Sequence, residues 1–233
     1  MFDRIAPTYD CLNRVISFGR DKSWRRKVAA RLRSAGADAV LDAGTGTGDQ
    51  IFALFDEGIS PRLAIGMDPS WAMLSRARGR ARVAGLGSRI DWVRGERVGA
   101  VFRGETFDAV TMAFSIRNMP DIEPVLGDVL QVLKPGGRLV ILEAGRPGGT
   151  FARVCHLIYM RYVMPALAGL LAHEPGAYRY LAGSVERFPS PEKFSALMVS
   201  AGFVRVSAEP VAFGAAVVFS GRKPMTPARA GID

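Results

Sequence analysis

The chain has 233 residues, of which 48% are hydrophobic and 23% are charged. This length and apolar content exclude an intrinsically disordered chain and suit a domain that buries its own core. Its two cysteines, Cys11 and Cys155, are too few for a disulfide framework or a four-ligand zinc site, so we expect a reducing compartment and no metal. Residues 1–4 include charged side chains and lack the apolar segment of a secretory signal.

The charge is uneven, with 31 Lys and Arg residues against 22 Asp and Glu residues, a formal net charge of +9. Nearly all of the surplus is arginine. Such a surplus is compatible with binding to nucleic acid, to an anionic membrane surface or to an acidic ligand, and also with an arginine-rich genome. Composition does not decide between them.

Short apolar runs alternate with helix-like segments, which is typical of a mainly parallel sheet with helices on its faces. Strands are predicted at residues 39–43, 63–68, 90–93, 107–113 and 138–143, and helices from near 49, from 70 to about 84 and over 121–133. Proline and glycine at 134–137 end the last of these helices. Further on, we expect a helix over 192–201 and two closely linked strands, 203–208 and 211–219, that form an antiparallel hairpin at one edge.

Residues 151–172 form a long, mainly apolar stretch with helical spacing. Arg153, His156 and Arg161 lie inside it, and Pro165 interrupts it. Because a charged side chain near the centre of a bilayer costs about 2.5–3.5 kcal/mol, we expect a lid or an interfacial helix rather than a membrane span. A buried packing helix and a homodimer face are further interpretations of this stretch.

The first predicted strand runs into the glycine-rich segment Asp42-Ala43-Gly44-Thr45-Gly46-Thr47-Gly48, and a helix follows it. Glycine is favoured where the backbone must turn sharply and come close to a ligand. The spacing differs from the Gly-x-Gly-x-x-Gly of a dinucleotide pyrophosphate site, and no P-loop Gly-Lys-Ser/Thr follows. Phosphate binding is therefore disfavoured. A plain strand-to-helix turn is the alternative.

Asp68 ends the second predicted strand. A carboxylate there can accept hydrogen bonds from both ribose hydroxyls of an adenosine bound over the carboxyl edge of the sheet. The alternative is that Asp68 serves only as the N-cap of the helix after Pro69. Glycine loop and carboxylate together indicate adenosine without a pyrophosphate, which points to S-adenosylmethionine.

Several segments together resemble a known family. The generic ones, residues 40–48, 66–68 and 132–137, resemble class I methyltransferases in general. The more specific segments are 1–6, 9–13, 17–19, 24–26, the Ala-Phe-Ser-Ile-Arg-Asn of 113–118, 177–181, Ser184, Phe188 and Pro189. In this order they resemble the C-methyltransferases of menaquinone and ubiquinone biosynthesis, over nearly the whole chain to about residue 223.

The fold implied by the resemblance is α/β and Rossmann-like, of the class I methyltransferase type. It has a seven-stranded, mostly parallel sheet with helices on both faces, an antiparallel C-terminal edge strand and a helical lid. One methyltransferase domain covers residues 1–223, and 224–233 form a flexible tail. Within the domain we expect helices at the substrate entrance (1–35), a cofactor-binding core (38–145), a helical lid insertion (150–190) and a C-terminal helix and hairpin (191–223).

The activity implied by the resemblance is C-methylation of a demethylated quinol, such as demethylmenaquinol. S-adenosylmethionine is the methyl donor, S-adenosylhomocysteine is the product, and no metal is needed. The implied partner is a lipophilic quinol or another small aromatic substrate, and not nucleic acid. We expect a cytoplasmic enzyme, peripheral at the inner face of the membrane, where the arginine surplus contacts anionic headgroups.

The family's cofactor contacts, carried over position by position, fall on Thr47, Asp68, the pair Glu96 and Arg97, and Ala113. The chain departs from the family at two of these places. Glu96-Arg97 replaces the usual Asn or Asp followed by Ala, and Ala113 replaces a common serine, which leaves room for a divergent substrate. The full predicted cofactor set is Asp42, Gly44, Thr45, Gly46, Thr47, Gly48, Asp68, Pro69, Met73, Glu96, Arg97 and Ala113.

Carbon methylation needs an activated ring, because a neighbouring hydroxyl with a pKa of about 10 must be deprotonated or stabilised as a phenolate. The chain offers no Ser-His-Asp or Cys-His constellation. Arg117, just past the fourth strand, is the main candidate, and with Tyr9 and Asn118 it would polarise the quinol hydroxyl. The alternative is that Arg117 only pairs with an acidic loop residue. The candidate substrate contacts are Asn13, His173, Tyr178 and Tyr180.

Three other functions stay open on the sequence alone. A natural-product methyltransferase could use this scaffold on a soluble aromatic or sugar substrate. A nucleic-acid methyltransferase is favoured by the net charge, but the chain shows no Asn-Pro-Pro-Tyr-like motif and no appended nucleic-acid module. A non-catalytic binding protein is the third.

Overall fold

The computed structural model describes residues 14, 17, 19–33, 36–145 and 183–225. Most of the predicted lid, the segment before residue 14 and the end of the predicted tail lie outside these residues. The helices are α1 (Asp21–Arg33), α2 (Asp49–Asp56), α3 (Trp71–Val83), α4 (Val98–Val101), α5 (Ile122–Val132) and α6 (Pro191–Ser200). The strands are β1 (Ala39–Ala43), β2 (Leu63–Asp68), β3 (Asp91–Arg94), β4 (Phe107–Ala113), β5 (Leu133–Ala144), β6 (Val204–Val211) and β7 (Ala216–Arg222).

The seven strands form one sheet in the order β3-β2-β1-β4-β5-β7-β6. The first five pair in parallel, and β7 pairs antiparallel with both β5 and β6. The predicted mostly parallel sheet with antiparallel strands at its C-terminal end is therefore confirmed, and β7 lies inside the sheet while β6 forms its edge. Strand order reverses between β1 and β4, so the loops after these strands diverge and leave a crevice at the carboxyl edge.

Helices cover both faces of the sheet. On one face, α5 buries Leu126 and Val129 in a cluster that also contains Leu139 and Ile141 of β5. On the other face, α1 buries Val28, Ala29 and Leu32 in a second cluster, together with α2 and the opposite side of the central strands. Every residue of β1 is buried, as expected of a parallel strand that is covered on both sides.

The C-terminal hairpin differs from the predicted bounds. Strand β6 continues through Pro210 to Val211, which is tolerated because an edge strand leaves one row of N–H groups unpaired. A 3-10 turn at Ala212–Gly214 then joins it to β7, so the predicted second strand begins several residues too early. Ala212 and Phe213 have φ values of 49° and 56°. Residues other than glycine rarely adopt this left-handed conformation, so the turn could not be predicted from the sequence.

Candidate functional site

The glycine loop is held against the end of β2. The N–H groups of Gly44 and Thr45 both donate to the carbonyl oxygen of Met67, at 2.8 and 2.9 Å. Gly44 has a φ of 70°, and a Cβ atom there would lie 2.4 Å from the Cβ of Ser115. This position therefore requires glycine both for its backbone conformation and for its contact with the loop after β4.

An arginine of α3 fixes the far end of the same loop. Arg80 donates to the Thr47 carbonyl oxygen at 2.9 Å and to Asp49 Oδ1 at 2.6 Å, and its guanidinium lies over the Phe52 ring. The sequence analysis did not identify Arg80, because its distance along the chain from the loop gives no signal. This helical arginine is a structural clamp on the loop.

Asp42 is buried at the end of β1. Its carboxylate accepts hydrogen bonds from the hydroxyls of Thr45 at 2.6 Å and Thr111 at 2.7 Å. Burial nevertheless raises the pKa of Asp42 to about 6, against the lowering effects of the two hydroxyls and of Arg25. The carboxylate thus sits at the base of the loop at a cost in folding free energy, which is typical of a functional position.

Asp68, the last residue of β2, faces the loop. Its Oδ2 accepts from the N–H of Gly46 at 2.9 Å, and its Oδ1 accepts from the N–H of Ser70 at 2.9 Å. The N-cap of α3 is Ser70, whose hydroxyl accepts from the N–H of Met73 at 3.1 Å. The structure therefore gives Ser70 the capping role that the sequence left open for Asp68. The neighbouring Met73 is buried in α3.

The departure at Glu96-Arg97 has a local structural explanation. Both residues are exposed at the start of α4, and Arg97 donates through Nε and a terminal nitrogen to the two carboxylate oxygens of Asp128 in α5, each at 3.0 Å. This pair lines a cavity of about 10 Å³ together with apolar side chains, among them Met67 and Met112.

Arg117 lies in the 3-10 turn Ile116–Asn118, directly after β4. It forms an ion pair with Glu143 of β5, and the two side chains are only 8% and 0% exposed. The Glu143 carboxylate also accepts from the N–H of Ala144 at 2.7 Å. Among the described residues, the buried Nε of Arg117 has no hydrogen-bond partner. Arg117 therefore pairs with an acidic residue, but this residue lies in a strand and not in a loop, and the sequence analysis missed it.

Phe114 shapes the turn in which Arg117 lies. It has a φ of 58°, a strained value for an aromatic residue, and its N–H donates to the Leu142 carbonyl oxygen at 2.7 Å. The guanidinium groups of Arg25 and Arg117 both lie over its ring, at 5.7 and 5.8 Å from the ring centroid. Asn118 is half-buried and donates to the Phe114 carbonyl oxygen at 3.3 Å.

The described part of the predicted site gathers at the carboxyl edge of the parallel strands. The loop after β1, Asp68 with Pro69 after β2, Ala113 at the end of β4 and the Arg117 turn all belong to this edge. Tyr9, Asn13, His173, Tyr178 and Tyr180 lie outside the described residues. Within the described ranges, no group of three or more His, Cys, Asp or Glu side chains could hold a metal ion.

The left-handed glycine at Gly44 and the carboxylate of Asp68 fit S-adenosylmethionine, because they offer a close backbone approach and an acceptor for the ribose diol. The chain resembles a SAM-dependent methyltransferase from Thermotoga maritima (TM-score 0.64, 22% identity, 95% of this chain and 97% of the other). It also resembles a SAM-dependent methyltransferase from Aquifex aeolicus (TM-score 0.62, 16% identity, 91% and 97%). The fold is that of the class I SAM-dependent methyltransferases.

The sequence comparisons narrow this class. Residues 1–223 match the model of the ubiE/COQ5 methyltransferase family. The demethylmenaquinone methyltransferase of Thermus thermophilus is 42% identical over 96% of this chain and 100% of its own length. The ubiquinone/menaquinone biosynthesis C-methyltransferase UbiE of Geobacter sulfurreducens is 41% identical over 96% and 87%. The chain belongs to the ubiE/COQ5 methyltransferase family.

The raised pKa of Asp42 predicts a pH-dependent stability. Because the folded-state pKa of about 6 lies above the ordinary 3.8, this group favours folding below pH 4 and loses that contribution as the pH rises through 6. Asp42→Asn removes the ionisation, so the variant should gain up to about 3 kcal/mol relative to the wild type between pH 4 and pH 7.5. Thermal unfolding across this range measures the difference.

The matched control for this measurement is Asp91→Asn, which neutralises an exposed aspartate on β3. Its difference in melting temperature from the wild type should stay constant with pH. A constant difference for Asp42→Asn as well would show that Asp42 is ionised at its ordinary pKa in the folded protein.

Asp68→Asn is expected to weaken the binding of S-adenosylhomocysteine about 10- to 100-fold. The amide keeps the shape and an acceptor for the Gly46 N–H but loses the charge that strengthens hydrogen bonds from the ribose hydroxyls. Isothermal titration calorimetry gives the affinity. Asp38→Asn, at a 67% exposed side chain just before β1, is the control and should bind normally. Equal affinities of the wild type and both variants would show that Asp68 does not bind the cofactor.

Proposed function

We propose that the protein transfers the methyl group of S-adenosylmethionine to a ring carbon of a demethylated quinol with a lipophilic tail, as a step of isoprenoid quinone biosynthesis. The observation that carries the proposal is the buried Arg117–Glu143 pair at the carboxyl edge, with an unpartnered guanidinium donor. The names of the Thermus and Geobacter relatives support the choice of substrate. Methylation of a soluble natural product is the second candidate, which the Glu96-Arg97 departure favours.

The chemistry requires alignment and charge stabilisation more than a strong base. The cofactor supplies an electrophilic methyl group on a sulfonium that is ready to leave. A ring carbon would take up that methyl group once the neighbouring hydroxyl has lost its proton to water, and the sulfonium would leave as a neutral thioether. The C–H proton of the ring carbon would then pass to the oxygen, which restores the hydroxyl. The Arg117 guanidinium would stabilise the negative charge on this oxygen by its own charge and by hydrogen bonds.

Glu143 keeps Arg117 in position. Its carboxylate is fully buried on β5, and it accepts from the guanidinium, from the Arg117 N–H at 3.4 Å and from the Ala144 N–H. A guanidinium held on one side by a fixed carboxylate loses little freedom when the substrate binds on the other side. This is the preorganised electrostatics that contributes most to many enzymatic rate enhancements.

A large cavity suits a lipophilic tail. It has a volume of about 770 Å³ and is lined mainly by apolar side chains, including Val185, Phe188 and Phe219. Ala144, the residue after Glu143, also lines it, so the cavity begins next to the buried pair. A quinol ring at Arg117 could therefore extend its tail along this apolar surface, where each buried methylene contributes about 0.8 kcal/mol.

Arg117→Leu should reduce turnover roughly 100- to 1000-fold, the usual cost of removing an oxyanion-stabilising donor. Its affinity for S-adenosylhomocysteine should change less than about twofold, because Arg117 acts on the acceptor. The turnover of Arg117→Lys should lie between that of the wild type and that of Arg117→Leu, because lysine keeps the positive charge but lacks the planar guanidinium. Steady-state rates and calorimetry separate the two effects. Wild-type turnover in Arg117→Leu would contradict this role.

The substrate class is tested with labelled S-adenosylmethionine and two acceptors, demethylmenaquinol and a 1,4-naphthoquinol that lacks the isoprenoid tail. We expect transfer to the ring carbon of demethylmenaquinol, located by mass spectrometry and NMR, and a much lower kcat/KM for the tailless acceptor. Transfer to neither quinol, with activity on soluble aromatic compounds, would favour the natural-product function.

We also propose that the protein contacts anionic membranes at its surface. None of the helices in the described residues is long and apolar enough to cross a bilayer. Trp71, at the start of α3 beside the cofactor edge, is 53% exposed and carries Arg78 over its ring at 5.5 Å. Exposed tryptophan with a cationic neighbour is typical of a membrane interface.

Sedimentation with phosphatidylglycerol vesicles and with phosphatidylcholine vesicles tests this contact. Binding should require the anionic lipid, weaken with salt and fall in Trp71→Ala. The exposed Val83→Ala, at the other end of α3, is the control. Equal binding to both kinds of vesicle would show that the arginine surplus does not attract the protein to anionic membranes.

A further inference from the structure

Four cations gather where α1 meets the C-terminal hairpin, at the amino edge of the parallel strands and opposite the predicted cofactor site. Lys27 and Arg31 of α1 both pair with Glu209 of β6. Arg138, where the pairing of β5 with β7 begins, donates to the Arg31 carbonyl oxygen. Arg222, the last residue of β7, is directly opposite Arg138. Lys27, Arg31, Arg138 and Arg222 are called the basic cluster below.

The two strand arginines of the basic cluster share one face of the sheet. Residues that are directly opposite in antiparallel strands have their side chains on the same face, with Cβ atoms about 4.5–5.5 Å apart. Arg138 shares this face with Val140, which is buried in the apolar cluster that α1 covers. Arg138 and Arg222 therefore lie side by side next to α1. Like charges in directly opposite positions destabilise a strand pair.

The charges of the basic cluster are not balanced within the described residues. Hydrogen bonds from Lys27 and Arg31 lower the pKa of Glu209, so this carboxylate is ionised but already occupied. Burial and the positive charges of Arg222 and Arg31 lower the pKa of Arg138. The half-buried Arg222 side chain has no hydrogen bond or ion pair with any residue that the structure describes. An anion bound beside Arg222 would offset this repulsion.

The strands next to Arg222 add a hydroxyl donor. Ser220 lies on the same face of β7 as Arg222, opposite Ser207 of β6, and their Oγ atoms are 2.9 Å apart. One hydroxyl of this pair donates to the other, so the second O–H has no acceptor among the described residues. Planar guanidinium groups together with hydroxyl donors are suited to phosphate oxygens.

An architectural role explains only part of the basic cluster. Arg138 satisfies a carbonyl oxygen near the C-terminal end of α1, and Lys27 and Arg31 fasten the same helix to Glu209. None of these contacts needs an arginine at position 222, because an apolar or acidic side chain there would avoid the repulsion. Arg222 is therefore the residue that points to a ligand.

The position of the basic cluster favours a small soluble ligand. Trp71, the residue proposed to contact membranes, follows β2 at the carboxyl edge, whereas Arg138 and Arg222 lie at the opposite edge. A flat bilayer that contacts Trp71 cannot reach both edges. A nucleic acid is bound through a row of phosphate contacts, whereas these cations surround a single carboxylate, Glu209.

We propose that the basic cluster binds a phosphate group of a small soluble ligand, with Arg138 and Arg222 as its main donors. The bound phosphate offsets the repulsion between these two arginines and ties α1 to the C-terminal hairpin. This site goes beyond the proposed methyl transfer and does not depend on it.

Inorganic pyrophosphate and inorganic phosphate are the probes, in a phosphate-free buffer at constant ionic strength. Calorimetry of the wild type should show saturable binding of pyrophosphate, and the melting temperature should rise with it. Arg222→Gln should weaken this binding at least about 10-fold, because it removes a charged donor. Arg62→Gln is the matched control, since it removes an 87% exposed arginine just before β2 at the same edge. It should change the affinity less than about twofold.

The ligand-free proteins give a second readout. Arg222→Gln removes the repulsion with Arg138, so its melting temperature in low salt should exceed that of the wild type, and pyrophosphate should narrow the difference. An arginine with only a structural role would give the opposite sign. A lower melting temperature of Arg222→Gln with unchanged pyrophosphate affinity would therefore overturn the proposal.

Four further results would overturn it. A wild type that binds neither probe would refute the site even if Arg222→Gln does not fold. Equal losses of affinity in Arg222→Gln and Arg62→Gln would show general charge screening. Binding to phosphatidylglycerol vesicles that depends on Arg222, without binding of pyrophosphate, would assign the basic cluster to a lipid headgroup. Binding only to single-stranded oligonucleotides, stronger with length, would assign it to nucleic acid.

Discussion

One carbonyl oxygen, that of Met67, receives the two N–H groups that open the glycine loop, and the site depends on this arrangement. It exists because β1 and β2 pair in parallel with Ala43 opposite Met67, so that both strands end at the same level. The following residue, Asp68, then meets the N–H of Gly46. A shift of the pairing by one residue would turn the glycine loop away from the Asp68 carboxylate and would separate the two halves of the predicted cofactor site.

The bounds of the central strands could be predicted closely from the sequence. Contacts between side chains that are far apart in the sequence could not. The predicted bounds of β1, β2 and β4 match the structure because these strands are short, mainly apolar segments, and glycine or proline directly follows β1 and β2. Glu143 reads in the sequence as the polar end of such a run, and only the pairing of β4 with β5 brings it to Arg117. The bounds of the edge strand β6 were harder to predict, because its proline and the left-handed turn after it interrupt the apolar pattern.

Several arginines of the surplus form ion pairs that connect elements of the fold. Along α1, Arg26 and Arg33 pair with Glu57, and Arg31 pairs with Glu209 of β6. In α3, Arg80 clamps the glycine loop. These arginines join helices to loops and to the sheet edge, so a substantial part of the positive charge serves the architecture. Each exposed pair contributes little by itself, and their value lies in fixing where the helices sit.

The insertion of β7 between β5 and β6 has a consequence for how the chain folds. The first five strands follow one another through short crossovers, but β5 must wait for a partner from near the end of the chain, and closing so long a loop is entropically costly and slow. Glu143 is opposite Val217 in that pairing. The carboxylate that pairs with Arg117 is therefore sealed from water only when the last strand docks, and a nascent or truncated chain can assemble its glycine loop before this ion pair is protected.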